Sequence, residues 1–400
     1  MKKRVVVTGM GAMTPLGLDL ATFQANLKAG VSAARNITAF DTSRFPVRRA
    51  CPIQGFNPHK YRTHVLDPFI QYAVAAATEA IQDAAYEIEK ADPYRVGISV
   101  SSSKGGMHTL SRLATRFYAK PSALLGARLY ANLVPNFAAQ WIARRWKIKG
   151  PAKCYVAACA TGTVAVAEGA CMIREGLVDA CLAGASDASI VPLMLAGYHQ
   201  MGVLTRESMR PYDRRRQGFL VGEGAGIVLM ENLEIARARG AKIYGEILGA
   251  SYGSDGMDTL QFEDELGLAV VLENLMSRSD LALEDIDYVN LHGTGTPAGD
   301  LYETRQLKRF FGKKAYHIPT SSIKSMTGHL LGASGAVEII ASLLAMQGDF
   351  IPPTLGLEEP DPECDLDYTA GKFRDKKLRT VISLSMGFGG HLAAIALRKI

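Results

Sequence analysis

Short apolar runs rich in β-branched residues alternate along this chain with longer stretches of helical spacing. The runs Arg4–Thr8, Val96–Ser101, Cys154–Ala157, Ala180–Ala183 and Gly226–Glu231 predict strands, and Phe69–Ala85 and Gly162–Glu175 predict helices. Alternation of the two types predicts an α/β fold. Gly9-Met10-Gly11, just after the first run, reads as a turn. It does not fit a dinucleotide-binding turn: the third glycine is missing, Thr14 and Pro15 stand where a helix should begin, and no acidic residue follows a second strand.

The pattern also repeats. Cys159 precedes a small-residue helix that ends near Gly176 and leads into Cys181-Leu182-Ala183. His329 likewise precedes a helical stretch, Ala333–Gln347, closed by Gly348 and followed by the extended Ile351-Pro352-Pro353. The same order of strand, polar turn and helix in two places predicts a duplicated architecture.

Composition narrows the class. With 400 residues, 48% of them hydrophobic, the chain can fill two ordinary domains or one large duplicated fold. Its six cysteines (Cys51, Cys154, Cys159, Cys171, Cys181 and Cys364) are irregularly spaced with no CxxC pair. That predicts neither a disulfide framework nor a zinc site, and points to a reducing, cytoplasmic setting. Met1-Lys2-Lys3-Arg4 and the apolar residues after it faintly resemble a signal peptide, but Gly9, Gly11, Thr14 and Pro15 break the run, which reads better as a first strand. Glu338 divides the longest apolar segment, so no membrane span is expected. The net charge of +6 is modest, and the basic residues are scattered apart from Arg214-Arg215-Arg216 and pairs such as Arg144-Arg145. Without interleaved aromatics this argues against nucleic acid, and a locally basic surface would suit an acidic protein partner.

The candidate chemistry centres on Ala157-Ala158-Cys159-Ala160-Thr161-Gly162-Thr163, a thiol between an apolar run and a small-residue helix. A helix N-terminus there would lower the thiol pKa and offer backbone N–H groups to an oxyanion, which suits an acyl-transfer nucleophile. Two later turns carry histidines: Leu291-His292-Gly293-Thr294-Gly295-Thr296-Pro297 and Ser322-Ile323-Lys324-Ser325-Met326-Thr327-Gly328-His329. Singly, each of the three is a common core residue.

Together they resemble the ketosynthase branch of the thiolase superfamily, specifically the elongating β-ketoacyl-[acyl carrier protein] synthases. The resemblance runs nearly end to end, through Val5-Val6-Val7-Thr8-Gly9-Met10-Gly11, Arg210-Pro211-Tyr212-Asp213, Gly218 to Gly226, and Gly387-Phe388-Gly389-Gly390. It implies a thiolase-like duplicated α/β fold of stacked α-β-α-β-α layers. The join falls near residue 240, giving an N-terminal half, 1–240, with the nucleophilic cysteine and a C-terminal half, 241–400, with both catalytic histidines.

By the same resemblance Cys159 becomes acylated, His292 and His329 stabilise the enolate formed by malonyl decarboxylation, and the N–H groups of Cys159 and Phe388 form an oxyanion hole, with Phe388 also the gate. Lys324 matches an active-site lysine held by a carboxylate, here Glu338. Thr294 and Thr296 match hydroxyls that contact the phosphopantetheine arm. The implied partner is acyl carrier protein, docking where Lys60, Arg62, His64 and Arg206 lie. The substrates ride on its phosphopantetheine, so no bound cofactor and no metal is expected. A homodimer formed through the N-terminal half is implied, and a heterodimer with a related ketosynthase is the alternative.

The Cys-His-His set points to decarboxylative elongation, because chain-initiating relatives carry Asn where His329 stands and thiolases use a second Cys. A non-elongating, chain-length-factor-like subunit would lack the nucleophile, and an acyl-thioester hydrolase would not need Lys324 and the second histidine. Several residues depart from the family pattern. Lys104, in Ser102-Ser103-Lys104-Gly105-Gly106, stands where small or apolar residues border the acyl pocket; Met386 replaces a Phe; His391-Leu392 replaces Thr-Asn; Asp258 falls where His is common. These departures imply a specialised acyl or polyketide-like substrate, with Lys104 and Met386 among the substrate-binding residues.

Overall fold

A computed structural model of the chain describes residues 3–120, 126, 129–258, 262 and 264–400. Its main strands, in chain order, are β1 (Val5–Met13), β2 (Val96–Ser101), β3 (Ala152–Lys153), β4 (Ala180–Asp187), β5 (Gly224–Asn232), β6 (Gly245–Ser254), β7 (Tyr288–Asn290), β8 (Thr320–Ser321), β9 (Thr380–Gly387) and β10 (His391–Arg398). They form a ten-stranded sheet in the order β3-β2-β4-β5-β1-β6-β10-β9-β7-β8. From the centre outward, 1-5-4-2-3 is mirrored by 6-10-9-7-8. In each half the outer three strands are parallel and the remaining pairs antiparallel. Within the sheet, the two halves are joined where Val5–Val7 pair with Gly245–Ile247.

The helices that matter for the site are α1 (Pro68–Asp83), α2 (Phe137–Trp146), α3 (Thr161–Arg174), α4 (Pro192–Gln200), α5 (Gly267–Ser279), α6 (Pro297–Phe311) and α7 (Ser334–Gly348). Strand alternation sorts them into layers. On β5, Val228 and Met230 face the central core that holds residues of α3 and α7, whereas Ile227 and Leu229 face the core beneath α1 and α2. On β10, Ile395 and Leu397 join the central core, and Ala394 and Ala396 join the core with α5 and α6 residues. The result is helix, sheet, helix, sheet, helix. Strands covered on both faces must be apolar throughout, and all nine residues of β1 are buried.

Four readings of the sequence need correction. Gly9 and Gly11 do not form a turn; they lie inside β1, where a Cβ would come 2.1 Å from the Ala80 carbonyl oxygen and 2.0 Å from that of Ala76 on α1. Glycine there serves close strand–helix contact. Cys154–Ala157 is not a strand, because Tyr155 N–H donates to Ser101 Oγ and Ala157 N–H to Thr161 Oγ1, so side chains take the amides that a ladder would use. Leu331–Gly348 qualifies as a membrane span by length and composition despite Glu338, yet 89% of it is buried within the molecule, as befits a core helix. In the repeat, the sheet strand that follows α7 is β9; Ile351 belongs to a separate two-residue ribbon with Arg374.

Candidate active site

Cys159 lies in a single 3₁₀ turn, Ala158–Ala160, immediately before α3. Ala158 opens the turn at φ 45°, a left-handed conformation that non-glycine residues hold at a cost of about 1–3 kcal/mol. The end of β9 closes over the turn: a Cβ at Gly387 would come 2.9 Å from Cys159 N, and the Phe388 amide that follows acts to lower the thiol pKa. Burial raises the Cys159 pKa above the ordinary thiol value, outweighing the pull of Lys104, Lys324 and the Phe388 amide in the other direction. The expected net lowering at the helix start is therefore not observed.

His329 Nε2 is 3.1 Å from Cys159 Sγ. Its Nδ1 accepts from Leu331 N–H at 3.3 Å and faces Ser334 Oγ at 3.0 Å. A backbone amide only donates, so Nδ1 carries the lone pair and Nε2 the proton. The tautomer aims an N–H at the reaction centre. The His292 ring stands nearly perpendicular to it, at 84° with centroids 5.5 Å apart. Burial, followed by Lys324, holds both imidazoles well below the ordinary histidine pKa, so both are neutral donors.

Several supports were not singled out from the sequence. Glu303 on α6 accepts the N–H groups of His292 (2.7 Å) and Gly293 (2.9 Å) and the Tyr212 hydroxyl (2.7 Å), and Asp300 accepts from Gly295 N–H (3.0 Å) and Tyr212 N–H (2.8 Å). The two acids close to a Gly-rich loop were the available signal, since such a loop exposes amides that need acceptors. Phe219 sets its ring edge against His329, with centroids 4.8 Å apart. Lys324 opens a short helical turn, Lys324–Thr327, and is ion-paired to Glu338 of α7, with both side chains buried. Glu338 is raised above the ordinary carboxylate range by burial, against the Lys324 charge.

Cys159, His292 and His329 line one cavity of about 310 Å³, together with Thr294, Thr296, Met386, Phe388 and Phe219. The Thr294 and Thr296 hydroxyls are 3.0 Å apart. Lys104 does not line it; its ammonium hydrogen-bonds Ser103 Oγ and faces the Tyr198 ring. Lys60, Arg62, His64 and Arg206 are exposed and away from the cavity wall. Among the described residues no cluster of three or more His, Cys, Asp or Glu could hold a metal ion.

A mirrored sheet with a thiol from one half facing two imidazoles from the other is the design of the thiolase-like condensing enzymes. Residues 2–236 match the Beta-ketoacyl synthase, N-terminal domain, and residues 244–358 the Beta-ketoacyl synthase, C-terminal domain. The chain belongs to the β-ketoacyl synthase family. It is 37% identical over 409 aligned residues to the 3-oxoacyl-[acyl-carrier-protein] synthase 2 of Synechocystis sp., covering 100% of this chain and 98% of that one. It is equally similar, at 37% and with 99% and 98% covered, to the protein of the same name from Staphylococcus aureus (strain COL). Among solved structures it resembles the ishigamide ketosynthase/chain length factor (TM-score 0.95, 33% identity) and a type II PKS acyl-carrier protein in complex with its ketosynthase (TM-score 0.92, 27% identity), each with 100% of both chains covered.

Proposed function

We propose that this protein is a β-ketoacyl-acyl carrier protein synthase that elongates acyl chains by decarboxylative Claisen condensation. One observation carries the reading: Cys159 Sγ lies 3.1 Å from a histidine nitrogen that bears its proton, with a second neutral imidazole alongside. First, the acyl carbon of a carrier-bound thioester bonds to Cys159 Sγ and the carrier thiol leaves. A malonyl thioester then loses CO₂, and its electron pair passes into an enolate whose oxygen is held by His292 and His329. The enolate carbon attacks the acyl carbon, the tetrahedral oxyanion rests on the N–H groups of Cys159 and Phe388, and the Cys159 thiolate departs to leave a 3-oxoacyl thioester.

In this reading Thr294 and Thr296 hold the phosphopantetheine arm, and Lys324 with Glu338 maintains the histidine field. Exposed Lys60, Arg62 and Arg206 receive the acidic carrier. We place the join of the halves at residue 240 and expect a cytoplasmic homodimer. Mass spectrometry after incubation with acyl- and malonyl-carrier proteins tests the scheme. It should show acyl mass on the Cys159 peptide and a product lengthened by two carbons; acylation elsewhere, or none, overturns it. The same measurement with chains of increasing length reads the substrate.

A further inference from the structure

Behind the nucleophile lies a polar cluster that the proposed mechanism does not use. Asp187, at the end of β4 and fully buried, accepts from Ser102 Oγ (2.6 Å), Ser103 Oγ (2.5 Å) and Gly332 N–H (2.7 Å). Its two oxygens thus take hydrogen bonds from two hydroxyls and one backbone amide. Ser103 Oγ in turn accepts from Lys104 Nζ at 2.8 Å. The ammonium also sits 5.8 Å from the Tyr198 ring centroid. Tyr198 packs edge-on against Phe219 and Phe219 against His329, so the lysine is fixed to the wall that carries the reaction centre. A part-buried ammonium so anchored has little rotamer freedom, and its field acts through a medium that screens poorly.

We infer that Lys104 is a positioning residue for Cys159: its ammonium, held by Ser103, Asp187 and Tyr198, supplies the positive charge against which the nucleophilic sulfur becomes a thiolate. The charged and titratable groups around that sulfur are Lys104 from the loop after β2, Asp187 from β4, Tyr198 from α4, Lys324 and His329 from the segment after β8, and His292 from the loop after β7. Lys324 also acts on the sulfur, but its direct ion pair with Glu338 offsets part of its charge. Lys104 reaches its acid only through a hydroxyl, which leaves more of its field for the thiol. Among the charges acting on Cys159 it is the largest, and burial opposes it.

The inference rests on Cys159 as nucleophile but not on any substrate, so the test uses iodoacetamide. Its rate of reaction at the Cys159 peptide is followed by mass spectrometry from pH 6 to 10 in the whole protein. Lys104→Met should displace the profile by about one pH unit upward, which is about a tenfold slower alkylation at pH 8. Lys104→Arg, which restores the charge, should return most of that rate. A Lys104→Met profile that superimposes on the parent's overturns the inference, and where a melting curve shows that variant unfolded, Lys104→Gln is judged by the same criterion. A displaced profile without condensation by the parent would instead sink the synthase reading and leave this one standing.

Discussion

At the scale of single residues, the proton on His329 Nε2 decides what a substitution at Cys159 does. That nitrogen donates and cannot serve as a base, so a serine hydroxyl placed there has no adjacent acceptor to activate it. Cys159→Ser should therefore lose on the order of 10⁴ or more in condensation rate, while Cys159→Gln keeps malonyl decarboxylation, measured as CO₂ release. Normal condensation by the serine variant would falsify the nucleophile assignment. Removal of one oxyanion donor costs on the order of 10²–10³ in rate, so His292→Ala and His329→Ala should each lose decarboxylation by that factor yet still accept acyl mass on Cys159. Lys324→Ala differs in kind. It strands a buried Glu338, a loss of roughly 3–5 kcal/mol, and should appear first as a lower melting temperature. Cys159, His292, His329, Lys324 and Glu338 were all legible because each stands in a distinctive turn or, for Glu338, is a lone acid in an apolar helix. Asp187 and Tyr198 were not, since an acid at a strand end and a tyrosine in a helix have no pattern until the fold brings them to Lys104.

Among elements, the crossing of α3 and α7 sets the distance between thiol and imidazole. A Cβ at Gly162 would come 2.6 Å from Ala336 N, and one at Gly335 would come 2.8 Å from Thr163 N, so the helices touch backbone to backbone at both glycines. Alanine gains up to about 1 kcal/mol in helix propensity, but overpacking against backbone costs roughly 1–3 kcal/mol, and the clash prevails. Gly162→Ala should lower the melting temperature and depress condensation together, because separating the helices moves Cys159 from His329. Unchanged activity in a folded Gly162→Ala protein would show that the crossing does not set that distance. The sequence marked both helices within two residues at each end, since small or apolar residues at helical spacing are unambiguous. It misplaced Gly9 and Gly11, because glycine for a turn and glycine for contact look alike until the partner helix is known.

For the whole molecule, burial of ionisable groups makes stability depend on pH. Glu223 is pushed up to about 7 by burial, against bonds from Ile53 N–H and the Tyr72 hydroxyl. Its unfolded value is near 4.5, so the folded state holds a proton that the unfolded chain has lost, and the stabilisation fades as pH rises through 7. His292 and His329, kept neutral by burial, act oppositely and only below their unfolded value near 6.5. Between pH 6.5 and 8 the buried carboxyls therefore govern, since burial raises Glu79 and Asp300 to about 7 as well, and Glu223 accounts for a loss of roughly 1 kcal/mol. The parent's melting temperature should fall across that window more than that of Glu223→Gln; parallel curves would refute the assignment. Charge was also legible at this scale: Arg215 and Arg216, part of the densest basic run, are engaged by Asp213, Glu358, Glu359 and Asp361, leaving no patch there for a polyanion.

The mirrored halves carry one further consequence. The turn Leu331–Ala333 before α7 matches Ala158–Ala160 before α3, each opened by a non-glycine residue at positive φ (55° and 45°), so Gly332 stands where Cys159 does. A side chain at Gly332 would meet Asp187 Oδ2 at 2.5 Å and Ser103 Cβ at 2.7 Å. The second copy of the turn is thus closed to a nucleophile by the cluster that anchors Lys104. A frame with twofold symmetry has become a device with one handedness, in which one copy holds the growing chain and the other, barred from doing the same, is left to supply the imidazoles.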